Sequence, residues 1–151
     1  MIPGYPRYVL ANVFFSTNVH LIDLETGTVA FEWDVSSLKE VQQELVSSEK
    51  DRLKEKLGKK EVNRIRNKRR SDAIARQKYE EQDLNLANDM SEAGLFRKYD
   101  NFDWNNAQLN GIAYYPLHDS FLLTGKVWEF IFEVKLNYRE VIAQYEAHLA
   151  Q

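Results

Sequence analysis

"LNGIAYYPLHDSFLLTGKVWEFIFEVKL", residues 109–136, decides how this chain folds. GIAYY and SFLLTG are short runs rich in apolar and aromatic residues, and PLHD between them is a turn in which Pro116 presets φ. VWEFIFEVKL reads as a third strand. The stretch is therefore a meander of antiparallel strands. One residue breaks the pattern. Lys126, between Gly125 and Val127, is a cation where an apolar strand should still be running. A solvated lysine at a strand end is the plainer reading, and a lysine aimed into a site is the sharper one.

The same material recurs near the amino end, from Arg7 to Val35. YVLANVFF, residues 8–15, is a candidate buried strand, while VHLIDL and TVAFEWDV alternate with period two. Between the last two lies Glu25-Thr26-Gly27, where glycine supplies the positive φ a tight hairpin needs. At the carboxyl end, YREVIAQYEAHLA predicts a short amphipathic helix.

The intervening segment is different. Ser37 with Glu40 three residues on suggests a capping box. Leu38, Val41, Leu45, Leu53 and Leu57 form only a sparse helical stripe. Gly58 interrupts it, a second helical run is expected from about residue 59 to 88, and Gly94 reads as a stop. The resulting plan is a β meander over 1–35, a helical insertion over 36–103, a second meander over 104–136 and a terminal helix over 137–151.

Composition narrows the function. The 151 residues suit one domain, and 44% hydrophobic with 13% aromatic side chains suffice for a core. A net charge of −3 does not favour polyanion binding by the whole molecule. Without cysteine there is no disulfide, thiolate metal site or thiol nucleophile. No apolar run approaches the roughly 20 residues of a membrane helix, so no membrane partner is expected. His20, His118 and His148 are too scattered to predict a metal site. No phosphate loop or G-x-S-x-G elbow occurs. The basic run KKEVNRIRNKRR, residues 59–70, is flanked by acids and lacks interleaved aromatics, which favours a solvated helix face over nucleic-acid binding.

Both β segments resemble the plant and bacterial type of glutaminyl-peptide cyclotransferase, a five-bladed β-propeller family. The carriers are YVLANVFFSTNVHLIDLETGTVAFEWDVSSL at 8–38 and, more specifically, L-N-G-I-A and T-G-K-x-W in order within 109–136. The resemblance implies a mainly β fold: a partial propeller of about two blades, with a long helical insertion and a short carboxy-terminal helix. It also implies a transferase that turns an amino-terminal glutamine into pyroglutamate and releases ammonia. The partner would be a peptide or protein with that terminus, and no cofactor is required.

For site residues, the resemblance carries over Lys126 as catalytic, with Phe14, Trp128 and Asn110 as substrate-binding and no metal ligand. Phe14 stands where the family usually has tryptophan. The family's L-N-E-L-E motif and catalytic glutamate would belong to earlier blades. Two blades cannot close a ring, so the expectation is the carboxy-terminal part of a longer product, or a chain completed by missing blades or a second chain, inactive alone. The alternative is a non-enzymatic truncated propeller that binds a partner through its inserted helices.

Overall fold

The computed structural model describes residues 2–75 and 89–151, with side chains described for 2–68 and 89–151. The last part of the expected second helical run, 76–88, thus lies outside the described residues, as do the side chains of Arg69 and Arg70 in the basic run.

The chain forms two compact units, Met1–Gln42 with Trp104–Gln151, and Gln43–Asp103. The first unit holds two antiparallel sheets. Strands β1 (Tyr8–Asn12), β2 (Asn18–Asp23) and β3 (Thr28–Asp34) form one, in the order β1-β2-β3. Strands β4 (Gln108–Tyr115), β5 (Ser120–Lys126) and β6 (Phe132–Val134) form the other, in the order β4-β5-β6. Helix α1 (Ser36–Ala75) starts in this unit, α2 (Glu92–Asp100) belongs to the second, and α3 (Tyr138–Leu149) closes the first. The fold is mixed α and β rather than mainly β, because the helical residues outnumber those in strands.

Alternation sets the core. On β2, Val19, Leu21 and Asp23 point inward, and on β5 Phe121 and Leu123 do. With Tyr8, Leu109 and the α3 residues Tyr138, Val141 and Ile142, they form one buried cluster. Burying each large apolar side chain stabilises the unit by ~1.5–3 kcal/mol. The sheets meet where Asn12, at the end of β1, donates from Nδ2 to the Leu109 carbonyl of β4 at 3.2 Å. Inside the cluster, the Asp23 carboxylate accepts both Nε and Nη2 of Arg7, at 2.7 and 2.6 Å, so a buried charge is paired and forked.

Four local expectations change. The strand beginning at Tyr8 stops at Asn12, because Val13 and Ser16 close a turn and Phe15 takes a φ of 59°. Phe14 and Phe15 are therefore exposed rather than buried. Only Phe132–Val134 of the third predicted strand pairs, since Gly125 and Trp128 first close a turn. At the start of α1, Asp34 rather than Ser37 receives the free backbone N–H, that of Ser36 at 2.8 Å. Gly94 lies in the first turn of α2, donating its N–H to the Ser91 cap, and stops nothing.

In the second unit Leu53, Val62, Ile65 and Phe96 form a separate small core. Gly58 does break α1, with φ 74° and ψ 159°. Val41 and Leu45 of the expected stripe are exposed, whereas Val46 is buried.

Candidate functional site

A β-bulge builds the site. Strand β4 pairs Leu109 with Gly125 and Gly111 with Thr124, so Asn110 is an extra residue with no partner across the ladder. Bulges extrude a side chain from the regular pleat and occur next to binding sites. Gly111 follows it, where a Cβ would lie 2.6 Å from Thr124 Cγ2, so that a side chain there would have to displace that methyl. The L-N-G order thus has a physical meaning: core leucine, extruded amide, then a residue without a side chain.

Opposite the bulge, β5 ends at Lys126. Gly125 stands at the next inward position after Leu123. A Cβ there would meet the Gln108 carbonyl oxygen at 2.3 Å and Trp128 Nε1 at 2.4 Å. The indole therefore occupies the space a side chain would need. Lys126 takes the other parity, on the face away from the core, paired across the ladder with Gln108. The turn that follows is closed by Trp128 N–H to the Gly125 carbonyl at 3.2 Å, with Val127 at φ 64°. A positive φ at the third residue suits a type II turn, whose usual occupant there is glycine.

These elements enclose a cavity of about 60 Å³ lined by Phe14, Phe15, Asn106, Gln108, Leu109, Asn110 and Lys126. Three of the four residues expected at the site, Phe14, Asn110 and Lys126, thus come together from β4, β5 and the turn after β1. Trp128 does not line the cavity and packs instead against the core and, edge-on, against Phe132. A cavity this small takes only a small polar group. That suits an amide group, not a whole glutamine residue.

The chemistry of the lining is specific. The Lys126 ammonium is exposed at the rim and, among the described residues, makes no hydrogen bond or ion pair. Asn110, Asn106 and Gln108 add amides, and the Phe14–Phe15 pair, with centroids 4.2 Å apart, adds an aromatic side. Among the described residues, no carboxylate lines the cavity. The arrangement can bind an amide and stabilise negative charge on its oxygen, but it contains no carboxyl group for proton transfer. Phe15 and Val127, at or beside the cavity, both hold positive φ without being glycine, a strain of ~1–3 kcal/mol each that concentrates at functional sites.

Sequence reasoning missed Phe15, Asn106, Gln108 and Leu109. The signal for Gln108 was available: counting back from the PLHD turn, one bulge in β4 places it across from Lys126. Among the described residues no group of three or more histidine or acidic side chains is placed to hold a metal. His20 and His118 instead face Glu32 and Glu133, at 2.5 and 2.8 Å. In the basic run, Arg64 pairs with Glu61 and Arg66 with Asp100, both bidentately. No described helix is long and apolar enough to cross a membrane.

The fold and site define a protein of paired antiparallel sheets with an amide-lined, lysine-rimmed cavity at a bulged strand end. Residues 65–136 match the family model for glutamine cyclotransferase, and over that stretch the chain is similar to this family. The match takes in L-N-G-I-A and T-G-K-x-W, begins within α1 and does not reach 8–38. No curated protein and no solved structure gives a significant match.

Proposed function

We propose that this chain supplies the amide-binding, oxyanion-stabilising wall of a glutaminyl-peptide cyclotransferase. The observation that carries the reading is the meeting of Lys126, Asn110 and Phe14 at one cavity, within the segment similar to that family and the turn beside it. In the reaction the α-amine of an amino-terminal glutamine attacks its own γ-amide carbon, the ring closes and ammonia leaves. A free α-amine has a pKa of about 7.7–8.0, so a neutral fraction exists near neutrality and no strong base is needed. Lys126 acts as the fixed cation whose attraction grows as charge develops on the amide oxygen. Its charge also disfavours protonation of the attacking amine. Asn110 orients the amide, and Phe14 covers the aliphatic stem.

The two sheets act as adjacent propeller blades, with β1 and β4 side by side. The carboxyl group that protonates the leaving nitrogen comes from outside the described lining, on missing blades or a second chain. In the completed enzyme, Lys126→Ala lowers ammonia release from a glutaminyl peptide by ~10²–10³. In this chain alone, it abolishes preferential binding of glutaminyl over alanyl amino termini. Unchanged values in both assays would remove the lysine from the mechanism.

One observation favours a second reading. Since no carboxylate lines the cavity, a non-enzymatic module that binds a partner through the helices of Gln43–Asp103 fits the same structure. That reading requires that removing those helices abolish the association and that the completed ring show no turnover.

A further inference from the structure

A second cavity, about 270 Å³, is lined by Phe15, Ser16, Thr17, Lys39, Ala107 and Gln108. It shares Phe15 and Gln108 with the smaller one. We infer that this larger cavity receives the second side chain of the peptide and selects an acidic residue there, an inference that rests on the cyclotransferase reading of the smaller cavity.

Three features point to it. Consecutive side chains of an extended peptide project to opposite sides. A peptide lying over the wall formed by Phe15 and Gln108 therefore places its first side chain in one cavity and its second in the other. The volumes suit this division, since the smaller holds only an amide and the larger a whole acidic side chain. The charge suits it as well. Lys39 is the one charged residue in the lining, is half-buried and, among the described residues, forms no ion pair. Ser16 Oγ accepts from the Asn18 N–H at 3.0 Å, which leaves its own proton for a carboxylate. Thr17 is already committed, donating to Asp34 at 3.1 Å, and Asp34 in turn accepts from Ser36. On the shared wall, Gln108 donates from Nε2 to the Asn105 carbonyl, while its buried Oε1 has no partner. A small rotation of that amide offers Oε1 to the N–H joining the peptide's first two residues.

The test is calorimetric titration of the full chain with four amidated peptides, beginning Gln-Glu, Gln-Ala, Gln-Lys and Ala-Glu. Gln-Glu should bind about fivefold more tightly than Gln-Lys, as one partly exposed ion pair allows. Lys39→Gln keeps much of the stem packing and should level the two, and Lys39→Glu should reverse their order. Thermal unfolding of each variant reports whether it folds. Equal affinities in the unmodified chain, or an order that survives Lys39→Glu, would overturn the subsite. If Ala-Glu binds as well as Gln-Glu while both exceed Gln-Lys, the acidic subsite stands and the cyclotransferase reading falls. If no peptide binds, both fall.

Discussion

Gly125, Lys126 and Val127 do three different jobs within one turn. Gly125→Ala sets a Cβ against the Gln108 backbone and the Trp128 ring, and at least one of them is not the movable end of a side chain. The expected loss is ~1–3 kcal/mol, the usual range for overpacking, visible as a lower denaturant midpoint. Val127→Gly should act in the opposite sense. It releases a β-branched residue from φ 64° and gives up little burial, for a gain of ~0.5–1 kcal/mol after the added freedom of the unfolded chain is counted. A lower midpoint for Val127→Gly would mean that the turn does not hold this conformation in solution. At this scale the sequence was half legible. Lys126 stood out because a cation interrupts an apolar run. Trp128 could be read either way, because an indole can fill a core gap or a pocket, and only its ring lying over Gly125 and against the core shows which it fills here. The extrusion of Asn110 depends on ladder register, which residue types alone do not reveal.

At the scale of elements, α3 is held to both sheets through tyrosines. Tyr8 of β1 donates to Glu146 at 3.1 Å, and Tyr138 donates to Asp119 at 2.8 Å, beside the turn before β5. Burial first, and then these hydrogen bonds to carboxylates, push both phenols up to about 12. Because the folded value is raised above the usual value of about 10, the neutral form is the one the fold prefers. That contribution is whole below about pH 10 and is lost as pH rises through about 12. Absorbance at the tyrosinate band should therefore show Tyr8 and Tyr138 ionising late, together with loss of near-ultraviolet circular dichroism, with Tyr114 also raised by its hydrogen bond to Asp119. Titration of Tyr8 and Tyr138 as ordinary exposed phenols would show that α3 is not docked this way. The strands themselves were legible, because period-two alternation survives in β2 and in the β5 core positions. Their ends were not. Phe14 and Phe15 have strand-like chemistry, yet the chain must turn there to let Asn18 begin β2, and the left-handed φ at Phe15 has no marker in composition.

Across the whole molecule, each unit carries its own apolar cluster. Among the described residues, none of the buried cluster of the first unit comes from Gln43–Asp103, and none of the second unit's cluster comes from outside it. The separation was foreshadowed by composition, since a sparse stripe among many charges cannot bury what alternating strands can. What composition did not show is that Val62, Ile65 and Phe96 complete the small core around Leu53, because Phe96 lies 43 residues along the chain from Leu53 (96 minus 53). Replacing residues 43–103 by a flexible Gly/Ser linker should leave the first unit folded, because loop closure changes by only about 0.6 kcal/mol for each doubling of length. The shortened chain should unfold cooperatively and keep the glutaminyl-peptide preference proposed for its small cavity, since every residue lining that cavity lies in the first unit. Retained folding with lost peptide preference would instead tie recognition to the helices and favour the interaction-module reading. A shortened chain that does not unfold cooperatively would show that the two clusters are not energetically separate.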